Sequence, residues 1–227
     1  MTEYYARPRV IILGAGFAGI RAAKSLADTS ALVTLIDRNN YHLFQPLLYQ
    51  IAMAGLSPAQ IAIPIRSILR RISNVEVLLG EVTGIDLTRH LVRVGKLELD
   101  FDYLIVATGS THTYFGHPEW EEDAPGLKTV EDALEIRRRV LLAFELAERD
   151  ALTRGGHHPL NFVVIGAVQR AWNWREPLPI SRSGPWSGIF GRFARTRREL
   201  FCWKEADAFC LAFPRISPPA QRRSCGI

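Results

Sequence analysis

The sequence is poor in cysteine, and none of its three cysteines precedes residue 202. A C-x-x-C redox pair is therefore absent from most of the chain, which argues against dithiol chemistry there. Residues 1–9 contain no apolar signal-peptide core, and no run of 18 apolar residues occurs. These absences predict neither an export signal nor a membrane-spanning helix, and we expect a cytoplasmic working compartment.

Metal-ligating residues are also sparse. His157 and His158 are adjacent, but no cysteine, aspartate or glutamate stands near them at ligand spacing. The pair lies in a polar segment, residues 154–159, that we interpret as a linker. The sequence therefore predicts no metal site.

Negative charge is scarce in the last part of the chain. Residues 168–227 contain eleven Lys or Arg against four Asp or Glu, so residues 1–167 are slightly acidic although the net charge is +5. The same segment holds all three cysteines, four of the five tryptophans and six of the thirteen prolines. Because it shows neither strand nor helix periodicity, we predict that this Arg/Trp/Pro-rich tail is disordered.

The strongest positive signal is a glycine turn after an apolar run of strand length, residues 10–13. Gly14, Gly16 and Gly19 have G-x-G-x-x-G spacing, and a helical pattern follows over residues 20–27. In such a turn the first glycine permits the tight bend and the second lets the backbone approach a pyrophosphate. The third lets the helix pack closely on the strand. The helix N-terminus then offers free N–H groups to phosphates.

A second apolar strand, residues 32–36, ends at Asp37. An acidic residue at this place hydrogen-bonds a ribose hydroxyl and favours an unphosphorylated ribose, as in FAD or NAD, over NADP. The order of these features is that of a dinucleotide-binding βαβ unit: a strand, the glycines, a helix, a second strand and an acid.

The remaining pattern completes an α/β fold. We predict a third buried strand at residues 75–79 and an antiparallel meander of three strands at 82–86, 91–94 and 97–99. A further buried strand at 101–107 ends at Thr108-Gly109. Two helices are predicted at 57–69 and 129–148, and a second βα unit begins at 161–167. The predicted fold is a Rossmann-like FAD/NAD(P)-binding domain with a parallel sheet, helices and a small meander, and it is incomplete.

The sequence resembles the type II, non-proton-pumping NADH:quinone oxidoreductases, which are two-dinucleotide-binding flavoproteins. The resemblance covers residues 1–167 and is carried by residues 11–26, 35–50 and 102–110, with Tyr-His-Leu-Phe-Gln-Pro-Leu-Leu-Tyr-Gln at 41–50 as its specific part. It implies an FAD-dependent oxidoreductase that transfers electrons from NADH to a membrane quinone. The missing cysteines argue against the disulfide reductases and sulfide:quinone reductases of the same superfamily.

By this resemblance, the glycine turn holds the FAD pyrophosphate and the second strand's acid holds the adenosine ribose. The backbone of Val82 meets the adenine, a Gln-Pro-Leu loop lies near the flavin ring, and the Ala-Thr-Gly segment closes the site. The implied cofactor-binding residues are Gly14, Ala15, Gly16, Phe17, Ala18, Gly19, Asp37, Arg38, Gln45, Pro46, Leu47, Val82, Ala107, Thr108 and Gly109. No catalytic residue is predicted, since hydride transfer to a flavin needs no general acid or base.

The predicted domains are an incomplete FAD-binding domain at 1–160, the start of an NADH-binding domain at 161–167, and the tail at 168–227. The family continues with a second G-x-G-x-x-G where the tail begins. If one base is lost after Ala167, the codons of Trp172 and Asn173 force a glutamate in the restored frame, and residues 168–180 can read GPTGVELAGAIAD. Residues 201–204 force Leu-Leu-Glu in the same frame. We therefore predict that the tail is an out-of-frame NADH-binding domain and that this chain lacks NADH:quinone activity.

Two other functions are compatible with the sequence. One is a different FAD/NAD(P)-linked reductase, such as a ferredoxin-type reductase. The other is a non-enzymatic nucleotide-binding protein with a basic tail, whose arginines and aromatics would suit RNA or a membrane surface. For the family function the partners are NADH and quinone, and no nucleic acid is expected. The intact protein would associate peripherally with the cytoplasmic face of the inner membrane through C-terminal helices that this chain lacks.

Overall fold

A computed structural model describes residues 7–154, 160–165, 199–203 and 210–212. The chain divides into two compact units, one formed by Met1–Phe44 with Ala59–Ser110 and the other by Gln45–Pro58 with Thr111–Ile227. Each unit has its own apolar core. Within the described ranges, no helix is both long and apolar enough to cross a membrane.

The first unit is built on a four-stranded parallel sheet in the order β5-β2-β1-β9. Its strands are β1 (Arg9–Leu13), β2 (Leu32–Asp37), β5 (Val75–Leu79) and β9 (Tyr103–Val106). β1 pairs with β2 from Arg9↔Leu32 to Leu13↔Ile36, and with β9 from Val10↔Tyr103 to Leu13↔Val106. The predicted βαβ unit is confirmed, with the glycine turn following a central strand.

Alternating residues of the central strands supply two separate cores. Val10, Ile12, Val33 and Leu35 pack on one face against helices α1 (Phe17–Ser25) and α3 (Ile65–Leu69). Ile11, Leu13 and Ile36 pack on the other face against Val92 and Phe101. Because successive side chains of a strand point to opposite faces, a continuous apolar run is required where both faces are covered.

The cover of the second face is the predicted antiparallel meander. It consists of β6 (Val82–Asp86), β7 (Leu91–Val94) and β8 (Leu97–Asp100), paired in that order. A smaller antiparallel pair joins β3 (Tyr41–Leu43) to β4 (Ala62–Pro64), with His42 opposite Ile63.

The predicted helix over residues 57–69 is wrong. Residues Pro58–Gln60 form one 3-10 turn, β4 follows, and the α-helix begins only at Ile65. Pro64 explains the break, because a proline inside a helix lacks the N–H donor and collides with the preceding turn. At position 64, immediately before α3, proline is tolerated, because an N–H at the start of a helix would have no intrahelical acceptor.

The prediction that β5 and the strand at 101–107 are buried is also wrong in part. Leu79 is 56% exposed, and Tyr103 and Val106 are 64% and 63% exposed. β5 and β9 form the two edges of the four-stranded sheet, where a strand has a partner on one side only. An apolar run indicates a strand, but it does not distinguish a central strand from an edge strand.

The described residues of the second unit form three α-helices, α2 (Leu48–Ala52), α4 (Trp120–Asp123) and α5 (Val130–Arg154). Its core includes Leu48 and Ile51 of α2 and Ile136 and Val140 of α5, all at most 1% exposed. α5 begins one residue after the predicted start and extends six residues beyond the predicted end at 148.

A capping box sets the start of α5. The Thr129 Oγ1 accepts a hydrogen bond from the Asp132 N–H at 3.1 Å, and Asp132 Oδ2 accepts one from the Thr129 N–H at 2.9 Å. The two side chains thereby satisfy amides that have no intrahelical acceptor.

Three further strands are described toward the C-terminus. β10 (Asn161–Ile165) pairs in parallel with β11 (Glu199–Trp203) and antiparallel with β12 (Cys210–Ala212). The structure differs here from the predicted disorder of residues 168–227, because β11 and β12 lie within that segment and both pair with β10. The rest of that predicted segment, and His157-His158, lie outside the described residues.

Candidate functional site

The turn between β1 and α1 requires glycine at its first position. Gly14 has φ +98°, a left-handed conformation that side chains rarely adopt. Its N–H donates to the Ile36 carbonyl at 2.7 Å, and a β-carbon on Gly14 would lie 2.5 Å from the Ala107 carbonyl oxygen. Backbone conformation and crowding both exclude a side chain.

The other two glycines differ in what surrounds them. A β-carbon on Gly19 would collide with the carbonyl oxygen of Gly14, so close packing of α1 on the turn requires glycine there. A β-carbon on Gly16 would meet no protein atom within 4 Å, and Gly16 has φ −69°. The protein itself places no demand for glycine at this position.

The N-terminus of α1 lies at the same glycine turn. Gly16 is the N-cap residue, no side chain caps the helix, and its first turn contains no acidic residue. The first amides of a helix have no intrahelical acceptor, and they lie at the positive end of the helix dipole. Phe17 and Ala18 therefore present backbone donors to an anion.

Asp37 lies at the end of β2 and holds the turn. Its Oδ2 accepts a hydrogen bond from the Ala15 N–H at 2.6 Å, and its Oδ1 accepts one from the Asn39 N–H at 2.7 Å. A carboxylate has about four lone-pair directions, so two acceptor positions remain for a ligand hydroxyl. The neighbouring Arg38 is exposed.

The Ala-Thr-Gly segment lies beside the glycine turn. The Ala107 N–H donates to the Leu13 carbonyl at 2.8 Å, which extends the pairing of β9 with β1 to the beginning of the turn. Gly109 has φ +75°, and a β-carbon there would meet nothing within 4 Å. The structure thus brings Ala107, Thr108 and the glycine turn together at the carboxyl ends of adjacent parallel strands, where open α/β sheets bind ligands.

Val82 is connected to the site through Asp37. It begins β6 two residues after Gly80, whose N–H donates to the Asp37 carbonyl oxygen at 2.9 Å. The side chain of Val82 packs against the apolar core of the second sheet face, which leaves its backbone for any recognition role.

Gln45, Pro46 and Leu47 belong to the second unit. They form one 3-10 turn before α2, and the Gln45 Nε2 lies 3.5 Å from the Lys128 carbonyl oxygen. Gln45 and Pro46 are exposed.

His42 contacts the turn and was not among the predicted site residues. Its Nδ1 lies 2.8 Å from the Ala15 carbonyl oxygen. The ring of Phe17 meets the rings of His42 and Phe44 edge-on, with centroids 5.1 and 5.4 Å apart. The only sequence signal for these contacts is the run of large side chains at 41–50, because 27 residues separate His42 from Ala15.

The described residues contain no group of three or more His, Cys, Asp or Glu side chains that could hold a metal ion. The polar groups at the glycine turn are backbone amides, the Asp37 carboxylate and the His42 imidazole. This donor set suits a dinucleotide with a pyrophosphate and a ribose.

Comparison with known proteins agrees with this geometry. The sequence pattern of the pyridine nucleotide-disulphide oxidoreductases matches residues 8–168. The chain belongs to this family. The matched residues include the whole glycine turn, Asp37 and the Ala-Thr-Gly segment, although no cysteine lies within them.

Members of the family that resemble the chain include quinone reductases. This chain is 48% identical over 165 residues to type II NADH:quinone oxidoreductase NdhA of Mycobacterium tuberculosis, and the alignment covers 71% of this chain and 35% of that protein. It is 34% identical over 172 residues to the external alternative NAD(P)H-ubiquinone oxidoreductase B3, mitochondrial, of Arabidopsis thaliana, covering 70% and 30%.

A solved structure of the same kind is similar in fold. NDH2 from Plasmodium falciparum in complex with NADH matches with a TM-score of 0.60 and 25% identity, over 71% of this chain and 34% of that one. The predicted Rossmann-like fold and the resemblance to type II NADH:quinone oxidoreductases are confirmed. The chain spans about a third of the length of these relatives.

Proposed function

We propose that the glycine turn of this chain binds FAD, with the pyrophosphate at the N-terminus of α1. The observation that supports this most directly is Gly16. Neither its φ of −69° nor any protein atom within 4 Å of a built β-carbon calls for glycine. A ligand approaching the backbone closely supplies the missing reason, and the uncapped helix start beside it supplies the donors.

Asp37 supports a ribose without a 2′-phosphate. Its carboxylate retains acceptor capacity after the hydrogen bonds from Ala15 and Asn39, and a ribose hydroxyl donates to such a group. A phosphate in the same position would repel it. We assign the adenosine ribose of FAD to Asp37 and Arg38, and the pyrophosphate to Gly14 through Gly19.

The other predicted residues complete the proposed site. The backbone of Val82 is assigned to the adenine, because Gly80 ties the start of β6 to Asp37. Ala107, Thr108 and Gly109 are assigned to the pyrophosphate side, where they adjoin the turn. Gln45, Pro46 and Leu47 are assigned to the flavin ring on the family resemblance alone.

The proposed activity of the whole protein is electron transfer from NADH to a quinone, the activity named for the mycobacterial relative. FAD supplies the two-electron chemistry when it is bound. The residues of this chain bind and orient it, and no residue is assigned to proton transfer. We further propose that the whole protein works at the cytoplasmic face of the inner membrane.

We also propose that residues 1–160 are the FAD-binding domain, that the NADH-binding domain begins at 161, and that residues 168–227 are read out of frame. The forced codons support the last point. Trp172 and Asn173 give a glutamate in the restored frame, and residues 201–204 give Leu-Leu-Glu in that same frame.

Flavin binding tests the proposed site. The purified chain, and the Gly16→Ala and Gly55→Ala variants, are titrated with FAD while the visible absorbance of bound flavin is followed. Gly55→Ala is the matched control, because its added methyl group would make only ordinary contact at 3.5 Å with the Gln50 carbonyl. We expect Gly16→Ala to weaken FAD binding at least tenfold, equivalent to about 1.4 kcal/mol, with thermal unfolding nearly unchanged.

Equal FAD affinity in the chain and in Gly16→Ala would contradict the assignment of the pyrophosphate. Tighter binding of NADP than of FAD would contradict the role of Asp37. A chain repaired in its reading frame is then assayed with NADH and either a quinone analogue or a ferredoxin, which separates the quinone reductase from a ferredoxin-type reductase.

Sequencing of genomic DNA across codons 160–210 tests the reading frame. A missing base after codon 167, followed by an open frame that encodes the second glycine fingerprint, is the expected result. An undamaged frame that encodes Trp172-Asn173-Trp174 in an independent clone would show that the tail is genuine and the proposal wrong.

A further inference from the structure

The His42 ring contacts the glycine turn, although His42 belongs to the two-stranded β3–β4 sheet and the turn follows a strand of the parallel sheet. His42 lies in the middle of β3, and pairing of β3 with β4 fixes its position opposite Ile63. From there its Nδ1 reaches the Ala15 carbonyl oxygen at 2.8 Å. The Phe17 ring packs edge-on against it, with an angle of 89° between the ring planes.

The direction of this hydrogen bond follows from its acceptor. A carbonyl oxygen can only accept, so the Nδ1 of His42 carries the proton and donates. In the neutral ring Nε2 is then the unprotonated nitrogen. The contact fixes both the tautomer and the orientation of the imidazole.

Two consecutive peptide groups of the turn are held in this way. Asp37 accepts from the Ala15 N–H at 2.6 Å and so fixes the peptide between residues 14 and 15. His42 donates to the Ala15 carbonyl and so fixes the peptide between residues 15 and 16. Because a trans peptide is planar, with its N–H opposite its carbonyl, the second contact also fixes the direction of the Gly16 N–H.

We propose that His42 is a positioning residue for dinucleotide binding, which presets the Gly16 amide through the Ala15 carbonyl. This rests on the proposed FAD site. A donor already aimed at the phosphate need not be ordered when the ligand binds, so affinity gains from preorganisation. Phe17 and Phe44 contribute by packing that keeps the ring in place.

Two substitutions separate the donor from the ring. His42→Phe keeps an aromatic ring against Phe17 but removes the Nδ1–H donor. His42→Asn removes the ring but places an amide N–H near the position of Nδ1. His117→Phe is the matched control, because its ring stacks on Trp120 in the second unit and takes no part in the turn.

FAD affinity and the NMR order parameter of the Gly16 backbone N–H are measured for the full chain and each variant. We expect His42→Phe to weaken FAD binding about fivefold to tenfold, the effect of one hydrogen bond, and to lower the order parameter of the Gly16 N–H. We expect His42→Asn to recover FAD binding to within about twofold of the unaltered chain, by restoring that hydrogen bond. His117→Phe should change neither quantity.

Equal loss of affinity in His42→Phe and His42→Asn would overturn the proposal, because packing rather than the donor would then matter. Unchanged affinity in His42→Phe would overturn it as well. If the unaltered chain binds no FAD, the proposed function fails. An unchanged order parameter of the Gly16 N–H in His42→Phe would then refute the positioning role of His42 independently.

Discussion

The carbonyl oxygen of Gly14 occupies the space that a β-carbon on Gly19 would need. This contact joins the first residue of the turn to the first helical turn of α1, and it sets how closely the helix approaches the sheet. Gly16, between them, has open space around it. The same motif therefore contains two glycines that folding requires, Gly14 and Gly19, and one, Gly16, that we assign to ligand binding.

Substitution of Gly19 and Gly16 should separate stability from binding. We expect Gly19→Ala to lower the free energy of unfolding by about 3 kcal/mol, because a methyl group would overlap backbone that cannot rotate away. Gly16→Ala should cost less than about 1 kcal/mol, the range for exchanging residues at a helix N-cap. Urea unfolding measures both, and equal destabilisation by the two variants would contradict this division of roles.

Asp37→Asn should loosen the turn. An amide side chain has one acceptor oxygen, so its NH₂ group would face either the Ala15 or the Asn39 N–H. We expect a loss of about 1–3 kcal/mol in unfolding free energy, the cost of leaving a partly buried donor unpaired, together with weaker FAD binding. Asp28→Asn, which makes the same charge change at an exposed position on the first unit, is the control and should alter neither value.

Asn74 ties the end of α1 to the start of β2. Its Nδ2 lies 2.9 Å from the Leu26 carbonyl, 3.0 Å from that of Ala31 and 3.3 Å from that of Thr29. Its buried Oδ1 has no hydrogen-bond partner among the described residues. The side chain therefore acts through its donors.

Asn74→Asp should therefore destabilise the chain, although the two side chains have nearly the same shape, because a carboxylate would face three carbonyl oxygens. We expect a loss of at least about 2 kcal/mol near neutral pH by thermal or urea unfolding. The same exchange at exposed Asn40 should change stability by less than about 0.5 kcal/mol. Similar melting curves for the two variants would refute this role.

The ion-pair cluster on α5 predicts a pH dependence. Hydrogen bonds from Arg138, and then from Arg139, lower the pKa of Glu135 from 4.5 to about 2. A carboxyl whose pKa is lower in the folded state stabilises the fold above its unfolded pKa. That stabilisation is lost as the pH falls from about 4.5 toward 2.

We expect Glu135→Gln to destabilise the chain at pH 7 by about 0.5 kcal/mol, since the cluster is partly exposed and screened by solvent. The difference from the unaltered chain should vanish near pH 2. Thermal unfolding at a series of pH values between 2 and 7 measures it, with Glu145→Gln at an exposed position in the middle of the same helix as control. A difference that grows on acidification would have the wrong sign for this cluster.

Local patterns predicted the elements around the site well. The β1 strand, the glycine turn, β2 with Asp37 and the three meander strands lie where their sequences indicate. Each depends on short-range rules, namely apolar alternation, glycine spacing and turn chemistry. The helix predicted over 57–69 failed because β4 pairs with β3, and strand pairing across 20 residues leaves no local periodicity.

By itself, the sequence determined that the chain has a βαβ unit whose glycines demand a tight turn, and that an acid follows the second strand. Only the tertiary structure decided which strands are edges, that Ala107 closes on Gly14, and that His42 holds the Ala15 carbonyl. The physical reason is range. Backbone conformation and amphipathicity are set by neighbouring residues, whereas the direction of an amide in the turn is set by side chains that the fold brings from 22 and 27 residues away.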